Sequence, residues 1–392
     1  MRLMLANFAK MIGDTGGAAK VFAAFANEMT RRGHEVSMVY SDDREGEFFY
    51  KVVDQVRTFN LRHYQGSDIR FPWQLKVKRE ILKGIDTRVG RKVNDDFNQR
   101  YLLPNLKAIL AEVKPDVIVT FHPTASKSLI CDLNVDVPVI TMSHGDPEDY
   151  FHTYPIEELT AIEHSTVNQV LLPSFEQPIR KRYPSARVVT IGNVVPQYEE
   201  KADLLADKPV HKIIFLARLV KNHKQPHLLV EAFCKIASQF PDWIVELWGA
   251  DDKLSYKKSM QRTINRAGLQ ERARFMGTTH DVAEILKQGD IFAFPSAYEG
   301  WGMSLTEAMR MGLPAVGFKS CVAVNELIQD GKTGILTDDG VEAYAAGLAS
   351  LMSNRELRVA MGQAGREAMT PYSAENIWNQ WEALLDDVIK AV

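Results

Sequence analysis

The sequence predicts an α/β fold made of two parallel-sheet domains, and three observations support this. A chain of 392 residues is too long for one ordinary hydrophobic core. Residues 3–40 show a strand, a helix and a second strand, and such a crossover implies parallel pairing. A new strand begins at Lys212, after a polar stretch at 197–209 with the composition of a linker. The predicted parts are an N-terminal domain at 1–200, a C-terminal domain at 208–372 and a final helix at 373–392.

The composition is typical of a globular protein, with 45% hydrophobic and 25% charged residues. A net charge of −3 gives no overall attraction to nucleic acid, and we expect no nucleic-acid partner. The three cysteines are far apart, which argues against a disulfide framework and favours a reducing cytoplasm. Lys10 interrupts the first apolar run, and no apolar stretch approaches the roughly 18 residues of a membrane span. We therefore expect a cytoplasmic protein whose membrane contact, if it has one, is peripheral.

Short β-rich runs predict the strands of the N-terminal domain, and their carboxyl ends should line one edge of the sheet. The strands are expected at residues 3–8, 35–40, 116–121, 137–142, 170–173 and 187–191, with a first helix at 18–32. Gly16 and Gly17 stand at the entrance of this helix. From the residues alone, a turn that needs glycine dihedrals is the simplest interpretation of the pair.

Residues 57–104 form a basic insertion in the N-terminal domain. From Arg57 to Arg100 there are eleven Lys and Arg residues against five Asp and Glu, with aromatic residues interleaved. This pattern indicates either a solvated helical face over a core, or a surface for an anionic membrane or a phosphorylated lipid-linked acceptor. Nucleic acid is disfavoured, because neither an RNA-module signature nor a zinc-finger spacing accompanies the cations.

Two histidines stand at predicted strand ends, His122 in TFHPT and His144 in SHGDPED. A histidine in such a place can donate to a sugar hydroxyl or a phosphate, and its ordinary titration lies near neutrality. Each of them, taken alone, is better explained as a loop or packing residue.

The C-terminal domain repeats the alternation of strands and helices. Its strands are expected at residues 212–217, 243–248, 274–277, 291–295, 314–318 and 335–337, with helices from Asn325 and over 373–392. Arg218 ends the first of these strands, and Lys224 follows in the loop before a helix. Two cations ahead of a helix suit a diphosphate, since arginine binds bidentately and lysine adds a mobile charge. Lys221 remains a rival to Lys224.

The most informative stretch is DIFAFPSAYEGWGMSLTEAMRMGLPAVG, at residues 290–317. It predicts a buried strand, a glycine turn at 299–302 and a helix that starts near Ser304. The amides of such a helix start, at residues 302–305 (Gly302, Met303, Ser304 and Leu305), suit a phosphate. Glu299 and Glu307 flank this start, and one can reach a sugar hydroxyl and the other a ribose. The alternative is a solvated turn residue and a first-turn helix glutamate.

At these residues the chain resembles a known family. EGWGMSLTE, followed by AMRMGLPAVG, resembles the glutamate-x7-glutamate signature of retaining GT-B glycosyltransferases, specifically glycosyltransferase family 4. The resemblance extends over most of the C-terminal half and more loosely over the N-terminal half. It implies two Rossmann-like domains that face a cleft, an N-terminal domain for the acceptor and a C-terminal domain for the nucleotide-sugar donor. It also implies that the final helix crosses back onto the N-terminal domain.

The resemblance also implies roles for particular residues. Arg218, Lys224 and the amides near Gly302 would hold the leaving diphosphate of a nucleotide sugar, with no metal and no other cofactor. Glu307 would bind the ribose and Glu299 the sugar hydroxyls. His144 would lie close to the donor sugar, and the amides of Gly16 and Gly17 near the donor phosphate or the acceptor. The glycines usual for the family are absent at 321–324, so the identity of the donor sugar stays open. The usual glycine is also absent after Asn193, at the junction that follows the last N-terminal strand.

The resulting functional hypothesis is a retaining hexosyltransferase that acts on a glycan or glycolipid acceptor in cell-surface polysaccharide synthesis, at the cytoplasmic face of the membrane. The alternatives are a sugar-phosphate phosphorylase, a nucleotide-sugar epimerase, or a non-catalytic subunit that binds a nucleotide sugar.

Overall fold

The computed structural model describes residues 1–391, and the chain forms two compact units. The N-terminal unit contains Met1–Gly192 and the chain from Trp378 onward, and the C-terminal unit is Asn193–Ile377. Each unit contains one sheet whose described strand pairs are all parallel. The predicted fold class, two Rossmann-like α/β domains, is confirmed.

The sheet of the N-terminal unit has seven strands in the order β3-β2-β1-β4-β5-β6-β7. The strands are β1 (Arg2–Asn7), β2 (Glu35–Tyr40), β3 (Arg57–Asn60), β4 (Val117–Thr120), β5 (Val139–Met142), β6 (Val167–Val170) and β7 (Val188–Thr190). The helices are α1 (Gly17–Arg31), α2 (Trp73–Lys83), α3 (Thr87–Phe97), α4 (Leu103–Val113), α5 (Pro123–Lys127), α6 (Pro147–Thr153), α7 (Ile156–His164) and α8 (Glu176–Arg182). Helices cover both faces, so the central strands are almost wholly buried and apolar.

The sheet of the C-terminal unit has six strands in the order β10-β9-β8-β11-β12-β13. The strands are β8 (His211–Leu216), β9 (Trp243–Trp248), β10 (Ala273–Gly277), β11 (Ile291–Phe294), β12 (Ala315–Phe318) and β13 (Gly334–Thr337). The helices are α9 (Pro226–Ile236), α10 (Leu254–Arg266), α11 (Val282–Lys287), α12 (Met303–Met311), α13 (Val322–Leu327), α14 (Val341–Ser353), α15 (Arg355–Ala368) and α16 (Ala374–Lys390).

Helix α16 begins in the C-terminal unit and continues into the N-terminal unit at Trp378. There the rings of Trp378 and Trp381 meet Phe25 of α1 edge to face, with centroids 5.4 and 4.8 Å apart. Arg32, just beyond α1, donates to Asn379 at 2.9 Å and pairs with Glu382. Aromatic packing and ion pairing therefore bind this part of α16 to α1.

The segment at 193–209 belongs to the C-terminal unit. The amide of Val195 donates to the carbonyl of Tyr372 at 2.8 Å, and that of Ala202 to Met311 at 2.9 Å. The guanidinium of Arg366 donates to the carbonyl of Tyr198 at 2.6 Å. These bonds hold the polar segment along its own unit.

Strands β3 and β6 and helix α13 differ from the sequence prediction. Strand β3 was missed, because RTFN at the sheet edge carries one large apolar residue and no buried run. Strand β6 lies three residues before the predicted position, since its buried Asn168 and Gln169 conceal it. Their amides donate to the carbonyls of Ile162 and Ile191. Helix α13 begins at Val322 and not at Asn325.

Candidate active site

Two loops of the C-terminal unit meet at the carboxyl ends of the neighbouring parallel strands β8 and β11. The amide of Ala297, after β11, donates to the carbonyl of His223, after β8, at 2.8 Å. The ring of His223 also meets that of Tyr298, with centroids 5.8 Å apart. Parallel sheets bind ligands at this edge, so the paired loops form the candidate site.

Lys224 and Glu299 form an ion pair between these two loops. The side chain of Glu299 is 7% exposed and that of Lys224 is 22% exposed. The ammonium of Lys224 also lies 5.5 Å from the centroid of the Phe294 ring. A pair so little exposed interacts more strongly than one at the surface. Lys221, the rival to Lys224, is instead exposed and lines a separate pocket with Asp252.

Arg218 lies two residues beyond β8 and is exposed. It makes no ion pair with any other residue of 1–391. Its guanidinium is therefore available for a ligand, at the same sheet edge as Lys224.

Helix α12 starts at Gly302, whose backbone is left-handed with φ 81° and ψ 62°. A side chain is disfavoured there, and a Cβ atom would also lie 3.2 Å from the ring of Phe294. The first intrahelical bond runs from the amide of Thr306 to the carbonyl of Gly302, at 3.1 Å. The amides of Met303, Ser304 and Leu305 precede it, and they form the positive end of the helix dipole. Such an end binds phosphate groups well.

Glu307 is the fifth residue of α12, so the prediction of a first-turn position was wrong by about one residue. It is 4% exposed, and Glu299 is 8% exposed as a whole residue, which excludes the alternative that Glu299 is a solvated turn residue. Tyr198 lies near Glu307: burial raises the pKa of its phenol, and the negative charges of Glu307 and Asp281 raise it further.

Sequence analysis missed three residues around this site. Tyr198 was assigned to a linker, and Ser296 has a buried hydroxyl without a hydrogen-bond partner among residues 1–391. Cys321 precedes α13 and is 2% exposed. Burial raises the pKa of its thiol to about 11, and the nearby Glu299 carboxylate adds to the shift. The thiol is therefore neutral at physiological pH. Its place in the segment at 321–324 was the one clue in the sequence.

In the N-terminal unit, Gly16 and Gly17 lie at the start of α1. Gly16 has φ −71° and ψ 158°, a conformation that any residue adopts, so the expected need for glycine dihedrals does not apply to it. Gly13 is the residue of this loop with a positive φ, at 63°. The amide of Gly16 donates to Asp14 Oδ1 at 2.9 Å. That amide therefore has a partner within the protein.

His144 follows β5, and its ring stacks on Phe121 with centroids 5.1 Å apart. Its Nε2 atom is buried without a hydrogen-bond partner among residues 1–391. Burial, followed by the charge of His122, lowers the pKa of His144 to about 3. Burial and the nearby Arg91 lower the pKa of His122 to about 4. The expectation that these histidines titrate near neutrality was wrong, because both rings are held neutral.

His122 belongs to a buried polar cluster that sequence analysis did not find. Its Nδ1 atom shares a hydrogen bond of 3.1 Å with the hydroxyl of Tyr154, over whose ring the guanidinium of Arg91 lies at 3.9 Å. Thr124 donates to Glu158 at 2.7 Å. Burial and the neighbouring Asp95 raise the pKa of Glu158 to about 9. The cluster therefore holds a protonated carboxyl group near neutral pH.

The described part of the chain contains neither a metal-binding cluster of side chains nor a membrane-spanning helix. Within residues 1–391, no group of three or more His, Cys, Asp and Glu side chains is placed to hold a metal ion. None of the described helices combines the length and the apolar character needed to cross a membrane.

Comparison with known proteins gives one family match. Residues 196–368 match the family described as Glycosyl transferases group 1. This range contains Arg218, Lys224, Glu299, Gly302 and Glu307. The signature found in the sequence therefore lies within the range that matches the family.

Similar proteins are found over nearly the whole length. An "Uncharacterized glycosyltransferase" of Haemophilus influenzae is 21% identical over 96% of this chain and 98% of its own length. The N-acetyl-alpha-D-glucosaminyl L-malate synthase of Bacillus anthracis is 24% identical over 96% and 95%. The structure of Anabaena Alr3699/HepE in complex with UDP and glucose has a TM-score of 0.73 and 17% identity, and the match covers 98% of this chain and 99% of that one. The structural likeness shows a common GT-B fold.

Proposed function

We propose that this chain, a GT-B glycosyltransferase with a group 1 domain, is a retaining hexosyltransferase of glycosyltransferase family 4. It moves a hexose from a nucleotide diphosphate sugar to a hydroxyl of a glycan or glycolipid acceptor. The observation that carries the proposal is the Lys224–Glu299 ion pair, on the loops next to the helix start at Gly302 and the buried Glu307. Cations and free amides can bind the diphosphate of a nucleotide sugar, and buried carboxylates can bind its hydroxyl groups.

The leaving diphosphate is the centre of the proposed mechanism. As the bond from the sugar to the diphosphate breaks, negative charge builds on the diphosphate oxygens. Arg218, the ammonium of Lys224 and the amides of Met303, Ser304 and Leu305 would stabilise this charge. These groups are held by the fold before the reaction begins, so little reorganisation is needed. This stabilisation requires no metal, and we propose that none is used.

The two glutamates would bind the other two parts of the donor, the ribose and the sugar. A carboxylate accepts hydrogen bonds, so Glu307 in α12 would accept from the ribose hydroxyls, beside Tyr198. Glu299 would accept from the sugar hydroxyls while Lys224 neutralises its charge. The acceptor hydroxyl would attack from the same face as the departing diphosphate, which takes up the proton. Retention of the anomeric configuration follows from this geometry.

His144 and the Gly16–Gly17 segment are proposed to contact the substrate from the N-terminal unit. A neutral imidazole can donate or accept through Nε2, according to the tautomer. The unpartnered Nε2 of His144 would bond a sugar hydroxyl, and its low pKa keeps that ring uncharged. At the start of α1 the amide of Gly17 would donate to the substrate, because the amide of Gly16 already donates to Asp14.

One surface of the N-terminal unit supports a proposal for where in the cell the protein acts. Trp73, Val77 and Ile81 are one turn apart along α2 and are 68%, 50% and 63% exposed. Lys76 and Lys78 lie on either side of this apolar stripe. Apolar side chains flanked by lysines suit the surface of an anionic membrane. We propose peripheral contact at the cytoplasmic face, where glycolipid and polysaccharide precursors would be extended.

A screen of nucleotide sugars tests the function. Purified protein is melted with each of several UDP- and GDP-sugars, because a ligand that binds the folded state raises the melting temperature. The donors that raise it are then incubated with glycan acceptors, and NMR reports the anomeric configuration of the product. Release of free nucleotide diphosphate and an unchanged anomeric configuration support the proposal.

Four other results would contradict it. Transfer to inorganic phosphate would show a phosphorylase, isomerisation of the donor without acceptor would show an epimerase, and an inverted product would remove the retaining mechanism. Binding of a donor without hydrolysis or transfer would show a non-catalytic subunit.

A further inference from the structure

The N-terminal unit has a pocket whose charged lining the proposed donor site does not explain. It encloses about 480 Å³ and lies at the carboxyl ends of β1, β2 and β4. Its charged lining residues are Lys10, Asp43, Arg62, Lys76 and Arg79. Four cations therefore face one carboxylate in a pocket at the edge where parallel sheets bind ligands.

The nearby acidic side chains are already paired with other cations. Asp43 pairs with Lys10. Asp42 accepts from Arg44 at 3.2 Å and from the amides of Met11 and Ile12. Neither carboxylate forms an ion pair with Arg62, which makes none with any of residues 1–391.

Arg62 is held in position by neutral groups. Its Nε donates to Ser41 Oγ at 3.0 Å and its Nη1 to the carbonyl of Ile69 at 3.3 Å. The guanidinium also lies 5.2 Å from the centroid of the Phe97 ring. Burial lowers the pKa of Arg62, and the charges of Asp43 and Asp42 offset this effect only in part. An anion in the pocket would compensate this charge.

The two cations on α2 differ in the partners they have. Arg79 donates to Asn94 Oδ1 at 3.2 Å, pairs with Glu80 at 2.8 Å and lies 5.4 Å from the centroid of Phe71. Lys76 is exposed, and within the described part of the chain it makes no ion pair. The pocket thus has a fixed arginine fork and a mobile lysine, the two kinds of group that recognise phosphate and carboxylate.

The remaining lining suits a carbohydrate. Ser41, Asn98 and Thr124 supply hydroxyl and amide groups, and Phe71 supplies an aromatic face. The volume lies within the range of small-molecule sites. We propose that this pocket binds the phosphate or carboxylate group of an anionic sugar acceptor. The proposal rests on the proposed function, and it deepens that function by naming the acceptor class.

Binding of simple anionic sugars tests the proposal. The 392-residue protein is titrated calorimetrically at fixed ionic strength with glucose 6-phosphate, glucuronate and neutral glucose. The two anions should bind at least about tenfold more tightly than glucose. Whichever of them binds more tightly identifies the preferred anion. Equal affinity for glucose would overturn the proposal, and so would no binding of either anion.

A matched pair of charge reversals locates the site. Lys76→Glu should weaken binding of the better anion by at least about tenfold. Lys78→Glu makes the same change of charge two residues further along α2, at an exposed position that does not line the pocket. It should change the affinity by less than about twofold. Equal effects of the two substitutions would show a general electrostatic effect and overturn the proposal.

The test separates this proposal from the proposed function. Lys76→Glu should leave the donor-induced shift of the melting temperature unchanged, because other residues are proposed to bind the nucleotide sugar. If no nucleotide sugar is turned over, the proposed function fails while the titrations still decide whether the pocket binds anionic sugars. If Lys76→Glu abolishes binding to anionic vesicles and leaves the affinity for both anionic sugars unchanged, the lysine serves the membrane surface and the pocket proposal is overturned.

Discussion

The ammonium of Lys224 contacts the carboxylate of Glu299, and this ion pair joins the loop after β8 to the loop after β11. The neutral Cys321 thiol lies beside it, so the carboxylate depends on Lys224 for charge compensation. A buried carboxylate without a cation is costly. The pair therefore contributes to the stability of the C-terminal unit as well as to the proposed chemistry.

Lys224→Met should destabilise the protein by about 2 kcal/mol, because Glu299 then loses its cation while it stays buried. The double variant Lys224→Met, Glu299→Gln should recover most of that loss, since no unpaired charge is left. Urea unfolding of the single and double variants measures both effects. Equal stability of Lys224→Met and the wild type would mean that the pair has no structural role.

Arg218→Ala should lower turnover by about 100-fold, since one lost preorganised donor commonly costs about 3 kcal/mol in the transition state. It should leave the melting temperature nearly unchanged, because Arg218 is exposed and makes no ion pair within residues 1–391. Arg262→Ala, at an exposed position on α10, is the control. Full activity in both Arg218→Ala and Glu299→Ala would show that the donor site has been assigned wrongly.

Gly302→Ala should destabilise the protein by roughly 2 kcal/mol and weaken UDP binding, because it combines a positive φ with a close contact to Phe294. Gly331→Ala is the matched control, with φ 73° and open space around the added carbon atom. It should cost about 1 kcal/mol from backbone strain alone and leave UDP binding intact. Urea unfolding and calorimetric titration measure the two effects. If the two variants lose equal stability and bind UDP equally well, the contact with Phe294 is unimportant.

His144 should make the protein less stable as the pH falls from about 6.5 towards 3. The unfolded chain takes up a proton near pH 6.5, and the folded chain does so only near the pKa of about 3, so acid favours unfolding. Relative to His144→Gln, the wild type should lose about 1.4 kcal/mol per pH unit below about pH 6. The comparison is needed because His122 acts in the same direction and Glu158, with its raised pKa, in the opposite one. A stability difference that does not vary with pH would contradict the lowered pKa.

Trp73→Ala and Ile81→Ser should each weaken binding to vesicles that contain anionic lipid, because each removes exposed apolar surface from α2. Leu254 on α10 is 60% exposed and gives the control Leu254→Ala. Sedimentation with vesicles of 30% phosphatidylglycerol, about a physiological anionic fraction, measures the change. If the α2 variants sediment with the vesicles as fully as the control does, the proposed membrane surface is wrong.

The sequence predicted the parts of the fold in which apolar runs and glycine turns coincide. β2 and β9 were predicted at their observed bounds, and the start of α12 within one residue. β6 was displaced, because the polar but buried Asn168 and Gln169 interrupt its apolar run, and the amide of Gln169 donates to the carbonyl of Ile191, 22 residues away. No local pattern reports such partners.

For the site, the sequence supplied the residue types but not their contacts. The carboxylates and the cations could be selected from short motifs, yet which of Lys221 and Lys224 lies beside Glu299 depends on how two loops meet. Tyr198 lies more than 100 residues from Glu307 in the chain, and only folding reveals its charge environment. The neutral state of His144 likewise follows from burial, which a local motif does not specify.

The helix α16 has a consequence for biosynthesis. Trp378 and Trp381 complete the packing around Phe25. Along the sequence, however, the whole C-terminal unit lies between them and Phe25. While the ribosome is making residues 193–377, the aromatic surface of α1 has no final partner. The nascent N-terminal half must then wait, partly uncovered, until the last helix emerges, and it is in this interval that chaperones would be needed.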